Sequence, residues 1–296
     1  MHSFFISPTA FDRQPVTLTG DQAHQVRRVL RMRLGDRATL LDGRGGACEG
    51  ILIAVGDADV KFQVVRRWEA EREPRTHVTL YQAVLKGERF GWALQKGTEV
   101  GVSAFTPMIC ERNVVDELDA VESKRERWER IIQEAAEQCG RGRLPELGIA
   151  QLFGQAVALP GYPPSIPPAA AGGKVWEAPP CRSEWKVWEA PPCGSGGKVW
   201  EAPPCGSGGD GGGVLRLIPW EGEHVMTLRH ALAGCNFAAG LRIQVYVGPE
   251  GGFTEAEIAQ ARRYGVQPIT LGPRILRAET AGVIAAALIL YEAGEM

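Results

Sequence analysis

Two strand-to-helix turns near the C-terminal end carry the residues best suited to hold a small molecule. The first lies in VYVGPEGGFTEAEI, residues 245–258, where Gly248 and Pro249 interrupt a strand-like run. Gly251 and Gly252 would let the backbone approach a ligand closely, because they carry no Cβ. This turn is therefore a candidate binding site.

The residues after this turn predict a helix and narrow the kind of ligand. Thr254 followed by Glu257 has the spacing of a capping box, so a helix should begin there. The glycines do not follow the G-x-G-x-x-G spacing of dinucleotide-binding folds, and no Gly-Lys-Ser/Thr follows as in a P-loop. Glu250 would repel a pyrophosphate at this helix start. A ligand with little negative charge, held by backbone groups in a partly apolar pocket, fits better.

The second turn, LGPRILRAETA, leads from another strand into an alanine-rich helix. Leu271, Ile275 and Leu276 are placed to wall an adenine ring, and Arg277 with Glu279 would stand at its mouth. The alternative is core packing for the three apolar residues and a surface ion pair for the other two. Each turn alone is a weak signal, and their order near the C-terminus strengthens it.

The first 70 or so residues predict a small β-rich unit with an arginine-rich segment. RATLLDGRG, CEGILIAV and VKFQVVRRW are strand candidates, the first two flanking an Asp-Gly turn. In DQAHQVRRVLRMRLGD, Val26, Val29 and Leu30 are expected to face the core at helical spacing while the arginines point outward.

Charge makes this segment a candidate for phosphate contact. Between Asp21 and Arg37 there are five arginines and two aspartates, a local charge of +3. A solvated helix face would explain such a run equally simply, but the scarcity of carboxylates favours phosphate contact. The candidates are Arg27, Arg28, Arg31 and Arg33.

After a linker around Pro74, strands alternate with helices to the C-terminus. HVTLYQAVL, AFTPMI, VLRLI and LRIQVYV read as strands, and FGWALQKGTEVG, ESKRERWERIIQEAAEQCG and HALAGC as helices. The second helix has one apolar stripe running from Trp128 to Cys139, and Gly140 should end it as a left-handed cap. Such alternation predicts an α/β fold, a mostly parallel sheet with helices on both faces.

One segment, residues 159–213, does not fit a packed core. It is rich in Pro, Gly and Ser, and VWEAPPC occurs three times, ending at Cys181, Cys193 and Cys205. A three-cysteine metal site or a peptide that recruits a partner would be functional interpretations. We favour a passive, disordered surface insert, because long loops cost little extra closure entropy. We therefore predict no metal site.

Composition excludes several classes of protein. The chain has 296 residues, is 44% hydrophobic and carries a net charge of −2, so any nucleic-acid affinity must come from local patches. No apolar run is long enough for a membrane span, and the N-terminus has no signal-peptide pattern. Seven cysteines without a C-x-x-C pair indicate a reducing environment, so we expect a cytoplasmic protein without membrane contact.

The chain resembles the RsmE family of 16S ribosomal RNA uridine-N3 methyltransferases, in the SPOUT superfamily of knotted S-adenosylmethionine enzymes. The matching motifs cover nearly the whole chain outside the insert: HQVRRVLRMRLGD, KGERFGWALQKGTEVGV, ERNVV, RWERIIQEAAEQCGR, VGPEGGFTEAEI and LGPRILRAETA. Asn113 stands in ERNVV where related sequences often carry Ser. The resemblance implies a PUA-like RNA-binding barrel over residues 1–72 and a SPOUT domain with a trefoil knot over residues 73–296. It also implies a homodimer that binds S-adenosylmethionine in the knot and 16S rRNA or the small ribosomal subunit as substrate.

The resemblance also suggests roles for individual residues. Arg277 is the candidate cation for the developing uracil anion, and Glu279 the weaker candidate for proton acceptor. N3 lies on the Watson–Crick edge, so the target base must be unpaired or extruded. The expected cofactor-site residues are Glu221, Gly248, Pro249, Gly251, Leu271, Gly272, Ile275 and Leu276. Further candidates for RNA or base contact, each equally explicable as a surface charge, are Lys86, Lys96, Arg112 and Arg141.

Two rival functions remain open at the level of sequence. A small-molecule methyltransferase would not need the arginine-rich N-terminal unit. A non-catalytic RNA-binding or ribosome-assembly protein would not bind S-adenosylmethionine, and calorimetric titration with that cofactor distinguishes this case.

Overall fold

The N-terminal unit is built on one five-stranded sheet. The structure, a computed structural model, describes residues 2–70, 73–114, 117–158 and 214–296. The sheet order is β1-β3-β4-β5-β2, in which only the β1–β3 pair is parallel. Its elements are β1 (His2–Phe5), α1 (Pro8–Phe11), β2 (Val16–Thr19), α2 (Gly20–His24), β3 (Arg37–Leu41), β4 (Gly46–Val55) and β5 (Asp59–Glu69).

The predicted hairpin strands and their Asp-Gly turn are confirmed. Asp42 Oδ1 accepts the backbone N–H groups of Arg44 and Gly46 at 2.7 and 2.8 Å, which closes the turn between β3 and β4. Inward residues of these strands, among them Leu40 and Phe62, are fully buried in one apolar core. The two outer strands, β1 and β2, were not predicted, because they are only four residues long.

The arginine-rich segment is helical, but its period differs from the predicted one. After α2, residues Gln25–Val29 form a turn of π-helix, in which Leu30 N–H bonds the carbonyl of Gln25, and Arg31 then adopts a positive φ of 51°. The wider turn shifts the positions that face the core. Val26 is buried as expected, whereas Val29 is 66% exposed, so the expectation that it faces the core is wrong.

The C-terminal unit is built on a sheet in which every strand pair is parallel. The order is β12-β10-β11-β6-β7-β8, with β9 also pairing with β7. The strands are β6 (His77–Ala83), β7 (Ala104–Ile109), β8 (Glu146–Leu147), β9 (Gln151–Leu152), β10 (Val214–Pro219), β11 (Arg242–Val247) and β12 (Gln267–Ile269). The helices are α3 (Arg89–Val100), α4 (Leu118–Glu122), α5 (Arg125–Cys139), α6 (Phe153–Ala158), α7 (Leu228–Leu232), α8 (Glu255–Arg263) and α9 (Ala278–Glu292), with a short 3₁₀ turn at Phe237–Ala239.

Helices cover both faces of this sheet, as predicted. Successive strand residues alternate between two apolar clusters: Leu80 packs with residues of α3, α5, α7 and α9, and Tyr81 with residues of α6 and α8. Gly101 and Gly140 end α3 and α5 in the left-handed conformation. The α/β fold with helices on both faces is therefore confirmed.

Several predictions about organisation lie at or beyond the limits of the described residues. Of the predicted division into 1–72, 73–296 and an insert at 159–213, residues 71–72 and the whole insert lie outside the described part. The trefoil knot stays a prediction. Within the described ranges, no helix has the length and apolarity needed to span a membrane.

Candidate functional site

The candidate site lies at the carboxyl edge of the parallel sheet. Because β6, β7, β10, β11 and β12 all run in one direction, the segments that follow them emerge at the same edge, where open α/β sheets bind ligands. Three of these segments carry every predicted cofactor residue and are called the loop cluster: residues 220–227, 248–253 and 270–277.

The 248–253 turn has the close packing that its glycines predicted. A Cβ on Gly248 would lie 3.1 Å from the ring of Phe253, and one on Gly251 would lie 3.1 Å from Cβ of Arg112. Gly252 has a φ of +68°, which side chains other than glycine rarely adopt. Larger residues would therefore not fit at these three positions without a rearrangement of the turn or its neighbours.

A capping box fixes the end of this turn. Thr254 Oγ1 accepts the backbone N–H of Glu257, and Glu257 Oε2 accepts the backbone N–H of Thr254 at 2.9 Å, as the sequence predicted. The buried Glu257 also accepts the backbone N–H of Glu111 at 2.9 Å through its other oxygen. The helix start is thereby tied to the segment after β7, an attachment that sequence reasoning missed.

Glu250 faces the segment after β6. Its Oε1 accepts the backbone N–H of Lys86 at 3.1 Å and a guanidinium N–H of Arg89 at 3.2 Å. On the neighbouring segment, Arg112 Nη1 donates to the carbonyl of Gly251 at 2.8 Å. Charged groups therefore hold the turn from its β6 and β7 sides.

The 220–227 segment joins the other two parts of the loop cluster. A Cβ on Gly252 would lie 2.5 Å from Oε1 of Glu221, so the Glu221 carboxylate rests against the 248–253 turn. On the other side, Thr270 N–H bonds the carbonyl of Met226 at 2.8 Å and Trp220 N–H bonds the carbonyl of Ile269 at 3.0 Å. The two turns predicted to share one ligand are thus connected through a third segment.

Glu223 shapes this connecting segment. It accepts the backbone N–H groups of Val225 and Met226 at 2.9 and 3.1 Å. Burial would raise the pKa of the Glu223 carboxyl, but these N–H groups, with Arg262 at 3.7 Å, outweigh burial and hold the pKa below its ordinary value. The segment keeps a charged carboxylate at its base.

The residues predicted to line the site from the 270–277 segment differ in how buried they are. Leu271 packs against the core, and Gly272 has a φ of +119° with its N–H on Thr270 Oγ1. Ile275 is 88% exposed, so in this structure it does not form an apolar wall with Leu271. Leu276 is half-buried.

Arg277 and Glu279 stand at the start of α9. Arg277 is the N-cap residue, with a side chain 83% exposed, and its Nη1 lies 4.0 Å from Oε1 of Glu279, whose side chain is 12% exposed. The guanidinium is therefore available to an approaching group, with a largely buried carboxylate beside it.

The predicted RNA-contact residues lie on the N-terminal unit, beside the 248–253 turn and on α3, apart from Arg141. Arg28, Arg31 and Arg33 are exposed on the N-terminal unit, where the half-buried Arg27 bonds the carbonyl of Asp57. Lys86 and Arg112 are exposed beside the 248–253 turn, and Lys96 pairs with Glu99 on α3.

Arg141 is the exception, because it is only 5% exposed. Its Nη1 donates to the carbonyls of Thr98 and Val102, and its Nη2 pairs with Glu73 at 2.8 Å. The side chain has no free surface to offer RNA, so the predicted RNA contact of Arg141 is wrong, and its role is an internal one.

Sequence reasoning missed two polar residues under the site. Asn113, noted only as a departure from Ser, accepts the N–H of Cys110 and donates to the carbonyl of Val84, which joins the segments after β6 and β7. Gln82, at the end of β6, is fully buried, and its Oε1 has no hydrogen-bond partner in the described part of the chain. Only their position at strand ends could have indicated them.

Metal-dependent and thiol chemistry find no support at this edge. The described residues hold no group of three or more His, Cys, Asp or Glu side chains arranged for a metal ion, and the three repeat cysteines lie outside them. Burial, with a smaller contribution from the Glu257 carboxylate, raises the pKa of the Cys110 thiol far above its ordinary value, so Cys110 is no nucleophile at neutral pH.

Family models match both units of the chain. An RNA methyltransferase domain matches residues 71–161 and 213–290, and an RNA methyltransferase PUA domain matches residues 18–65. The matched ranges contain the loop cluster and the arginine-rich segment, respectively.

Individual relatives agree with these models. The chain is 32% identical to ribosomal RNA small subunit methyltransferase E of Synechocystis sp. over 96% of this chain and 75% of that protein. It is 28% identical to the protein of the same name from Bacillus subtilis over 99% of this chain and 97% of that one. Its fold is similar to the crystal structure of the Neisseria gonorrhoeae protein of this name bound to S-adenosyl methionine, with a TM-score of 0.72, 25% identity and coverage of 99% and 98% of the two chains.

Proposed function

Because the chain belongs to the RNA methyltransferase family of ribosomal RNA small subunit methyltransferase E, we propose that it methylates N3 of one uridine of 16S rRNA, using S-adenosylmethionine. The substrate would be the small ribosomal subunit or its RNA. The observation that carries the proposal is the junction of the loop cluster, where Glu221 rests against Gly252 while Met226 bonds Thr270.

The loop cluster fits such a cofactor. Gly251 and Gly252 let the 248–253 turn pack closely against Arg112 and Glu221, which brings its backbone next to the Glu221 carboxylate. A ligand held by backbone N–H and C=O groups suits such a site. When bound, S-adenosylmethionine supplies a methyl group on a positively charged sulfur. The nearby carboxylate of Glu221 complements that charge, and Gly248, Pro249, Leu271, Gly272, Ile275 and Leu276 complete the proposed lining.

Arg277 and Glu279 are the proposed catalytic residues. Uracil N3 carries a proton at neutral pH and becomes a good nucleophile only when that proton leaves. The exposed Arg277 guanidinium would stabilise negative charge on the uracil oxygens, and Glu279, 4.0 Å away, would accept the proton. Holding the base in line with the methyl group would supply much of the remaining rate.

Residues 1–72 would hold the RNA and residues 73–296 would carry out the transfer. Phosphate contacts by Arg27, Arg28, Arg31 and Arg33 would set the register of the RNA, far from the reacting base. Lys86, Lys96 and Arg112 would contact the RNA nearer the loop cluster. The base itself must be extruded from any pairing, since N3 lies on its Watson–Crick edge.

We further propose that the enzyme is a cytoplasmic homodimer. Ile284, Leu288 and Tyr291 are exposed on α9 and recur at intervals of four and three residues, which places them on one face of the helix. An apolar stripe of this kind on the surface indicates an interface. A second copy of the chain is the occupant we propose.

The test is direct methylation of a defined substrate. The full-length protein is mixed with labelled S-adenosylmethionine and small ribosomal subunits that lack the modification, and modified nucleosides are mapped by mass spectrometry. We expect 3-methyluridine at one position. Methylation at another atom, or none despite tight cofactor binding, would contradict the proposal.

One substitution and one deletion extend the same assay to an assigned residue and to the insert. Arg277→Ala should lower kcat at least 100-fold, as removal of a group that stabilises developing charge does. Arg263→Ala, at an exposed arginine of α8 outside the loop cluster, serves as the control and should change kcat little. A protein without residues 160–212 should retain almost full activity, and a severe loss would mean that the insert is not passive.

A further inference from the structure

The segment that connects the two units is held to the C-terminal unit by several hydrogen bonds and an ion pair. Glu73, in the connecting segment, accepts the backbone N–H groups of Gly142 and Arg143 at 3.0 Å each and pairs with Arg141 Nη2 at 2.8 Å. Both charged side chains are nearly buried. The segment around Pro74, which the sequence predicted as a linker, is therefore bonded to the residues that follow α5.

Backbone pairing continues this contact into the N-terminal unit. Gly45 N–H bonds the carbonyl of Gly142 at 3.2 Å, and Leu144 N–H bonds the carbonyl of Gly43 at 3.2 Å. The packing is close, because a Cβ on Gly142 would lie only 2.0 Å from Cβ of Ala70. The turn after β3 and the chain after α5 are thus hydrogen-bonded to each other and packed together.

A second attachment joins α5 directly to the N-terminal unit. Glu137 of α5 accepts the backbone N–H of Phe5 at 3.0 Å and the amide of Gln133 at 3.1 Å. The carbonyl of the same Phe5 accepts the amide of Gln22, which lies on α2 at the start of the arginine-rich segment. Phe5 and Gln22 therefore connect α5 to α2, the helix that directly precedes the RNA-contact arginines.

Glu137 is a partly buried carboxylate whose hydrogen bond to Phe5 crosses between the two units. Burial raises the pKa of the Glu137 carboxyl above its ordinary value, against the opposing effect of the Phe5 N–H. A neutral amide oxygen would accept the same bond at a smaller desolvation cost. The contact holds Phe5 of the N-terminal unit at hydrogen-bonding distance from α5.

We propose that Glu137 and Glu73 are positioning residues, which lock the arginine-rich segment at a fixed distance from the loop cluster so that one nucleotide of the bound RNA reaches the methyl donor. This inference rests on the proposed function. Rigid spacing matters because a misplacement of about 1 Å at the reacting atoms can cost roughly 100-fold in rate.

Glu137 offers the sharper test, since removing Glu73 would leave a buried arginine unpaired and endanger folding. Glu137→Ala removes the contact, Glu137→Gln keeps its acceptor oxygen, and Glu134→Ala deletes a carboxylate from the exposed face of the same helix. Each is studied as the full-length protein, with small ribosomal subunits as the RNA substrate.

The first readout needs neither cofactor nor RNA. Amide hydrogen exchange at Phe5 should be slow in the parent, at least tenfold faster in Glu137→Ala, and close to the parent in Glu137→Gln and Glu134→Ala. Exchange in the loop cluster should not change. A Phe5 amide that exchanges as fast in the parent as in Glu137→Ala would overturn the attachment itself.

The second readout is the split between kcat and KM. In Glu137→Ala, kcat with small subunits should fall roughly tenfold or more, because the bound RNA no longer holds its nucleotide in line with the methyl donor. The KM for small subunits should change less than kcat, the Kd for S-adenosylmethionine should stay within about twofold of the parent, and the glutamine variant should restore the parent values. Unchanged KM and kcat with fast exchange at Phe5 would overturn the positioning role. If the parent methylates no RNA, the proposed function and the positioning role fall together, while the exchange measurement still decides whether the attachment exists.

Discussion

The carboxylate of Glu221 occupies the space that a side chain at Gly252 would need, since a Cβ there would lie 2.5 Å from Glu221 Oε1. We therefore expect Gly252→Ala to displace Glu221 and to weaken binding of S-adenosylmethionine by roughly tenfold or more, measured by calorimetric titration. In the variant, alanine at this positive φ would add backbone strain of about 1–2 kcal/mol, which glycine does not carry.

A matched control separates displacement from strain. Gly265 also has a positive φ, of 74°, but a Cβ there would meet nothing within 4 Å. Gly265→Ala should therefore lose comparable stability and keep its cofactor affinity. In a Glu221→Ala background, the effect of Gly252→Ala on affinity should shrink, and strictly additive effects would speak against the contact.

The arginine-rich segment should set the salt dependence of RNA binding. Replacing Arg28 or Arg31 with Gln should remove the contact of that arginine with one phosphate, because glutamine carries no charge. Each replacement should then lower the slope of log affinity against log salt concentration by about 0.7–0.9. Binding to small subunits, measured between low and physiological salt, gives this slope directly.

The control for this prediction is Arg263→Gln on α8, an exposed arginine far along the chain from the segment. Its slope should equal that of the parent. An equal decrease of the slope in all three variants would indicate a general charge effect rather than a specific RNA surface.

Most of the fold could be predicted from the sequence because local signals and tertiary packing agree there. The capping box at Thr254 and Glu257 and the glycine stop at Gly140 depend on backbone conformations a few residues long. Periodicity identified the main strands and helices of the C-terminal sheet. The four-residue strands β1 and β2 were not predicted, whereas the three-residue β12 was recognised from the Gly-Pro turn and the helix that follow it.

The site was predicted less completely, because its contacts join residues distant in sequence. Nothing local distinguishes the buried Arg141 from an exposed arginine, since its partner Glu73 lies 68 residues away. The exposure of Val29 follows from a π-helical turn that an ordinary helical period does not anticipate. The bond between Met226 and Thr270 is likewise a property of the fold alone.

The apolar stripe on α9 should control the oligomeric state. Leu288→Glu places a charge at the proposed interface, where burial without a partner is costly, so the variant should sediment as a 32.1 kDa monomer while the parent sediments at twice that mass. Val65→Glu, at an exposed apolar residue of the N-terminal unit, is the control and should leave the dimer intact. A monomeric parent would refute the proposed interface.

His77 should make the free energy of unfolding depend on pH below neutrality. Burial, together with the nearby Arg242, lowers the pKa of the His77 imidazole below its ordinary value of about 6.5. The unfolded chain therefore binds the proton more tightly, so the contribution of neutral His77 is complete above about pH 6.5 and is lost as the pH falls through the lowered pKa.

Denaturant titrations from pH 7.5 to 5 measure this dependence. In His77→Gln, the free energy of unfolding should decrease less steeply as the pH is lowered. His230→Gln, at an exposed position, should decrease as steeply as the parent. An identical pH profile for the parent and His77→Gln would rule out this origin.

Substitution of Gly282 tests whether the packing of α9 against β6 supports the catalytic residues at the N-terminal end of that helix. Replacing a helical glycine with alanine normally stabilises a helix by about 1 kcal/mol. At Gly282, however, a Cβ would lie 2.9 Å from Gln82 Oε1 and 3.0 Å from both Cδ atoms of Leu80, and these side chains are fully buried. Overpacking should make the alanine substitution destabilising instead of stabilising. We therefore expect Gly282→Ala to lose about 1–3 kcal/mol of unfolding free energy.

The same substitution on another helix is the control. At Gly91 on α3, a Cβ would meet only the end of the half-buried Ile131 side chain, at 3.0 Å, which can move aside. Gly91→Ala should therefore be neutral or stabilising in the same unfolding measurement. Because α9 begins at Ala278, immediately after Arg277, displacement of the helix in Gly282→Ala should also lower kcat, and a stabilised variant with full activity would contradict both expectations.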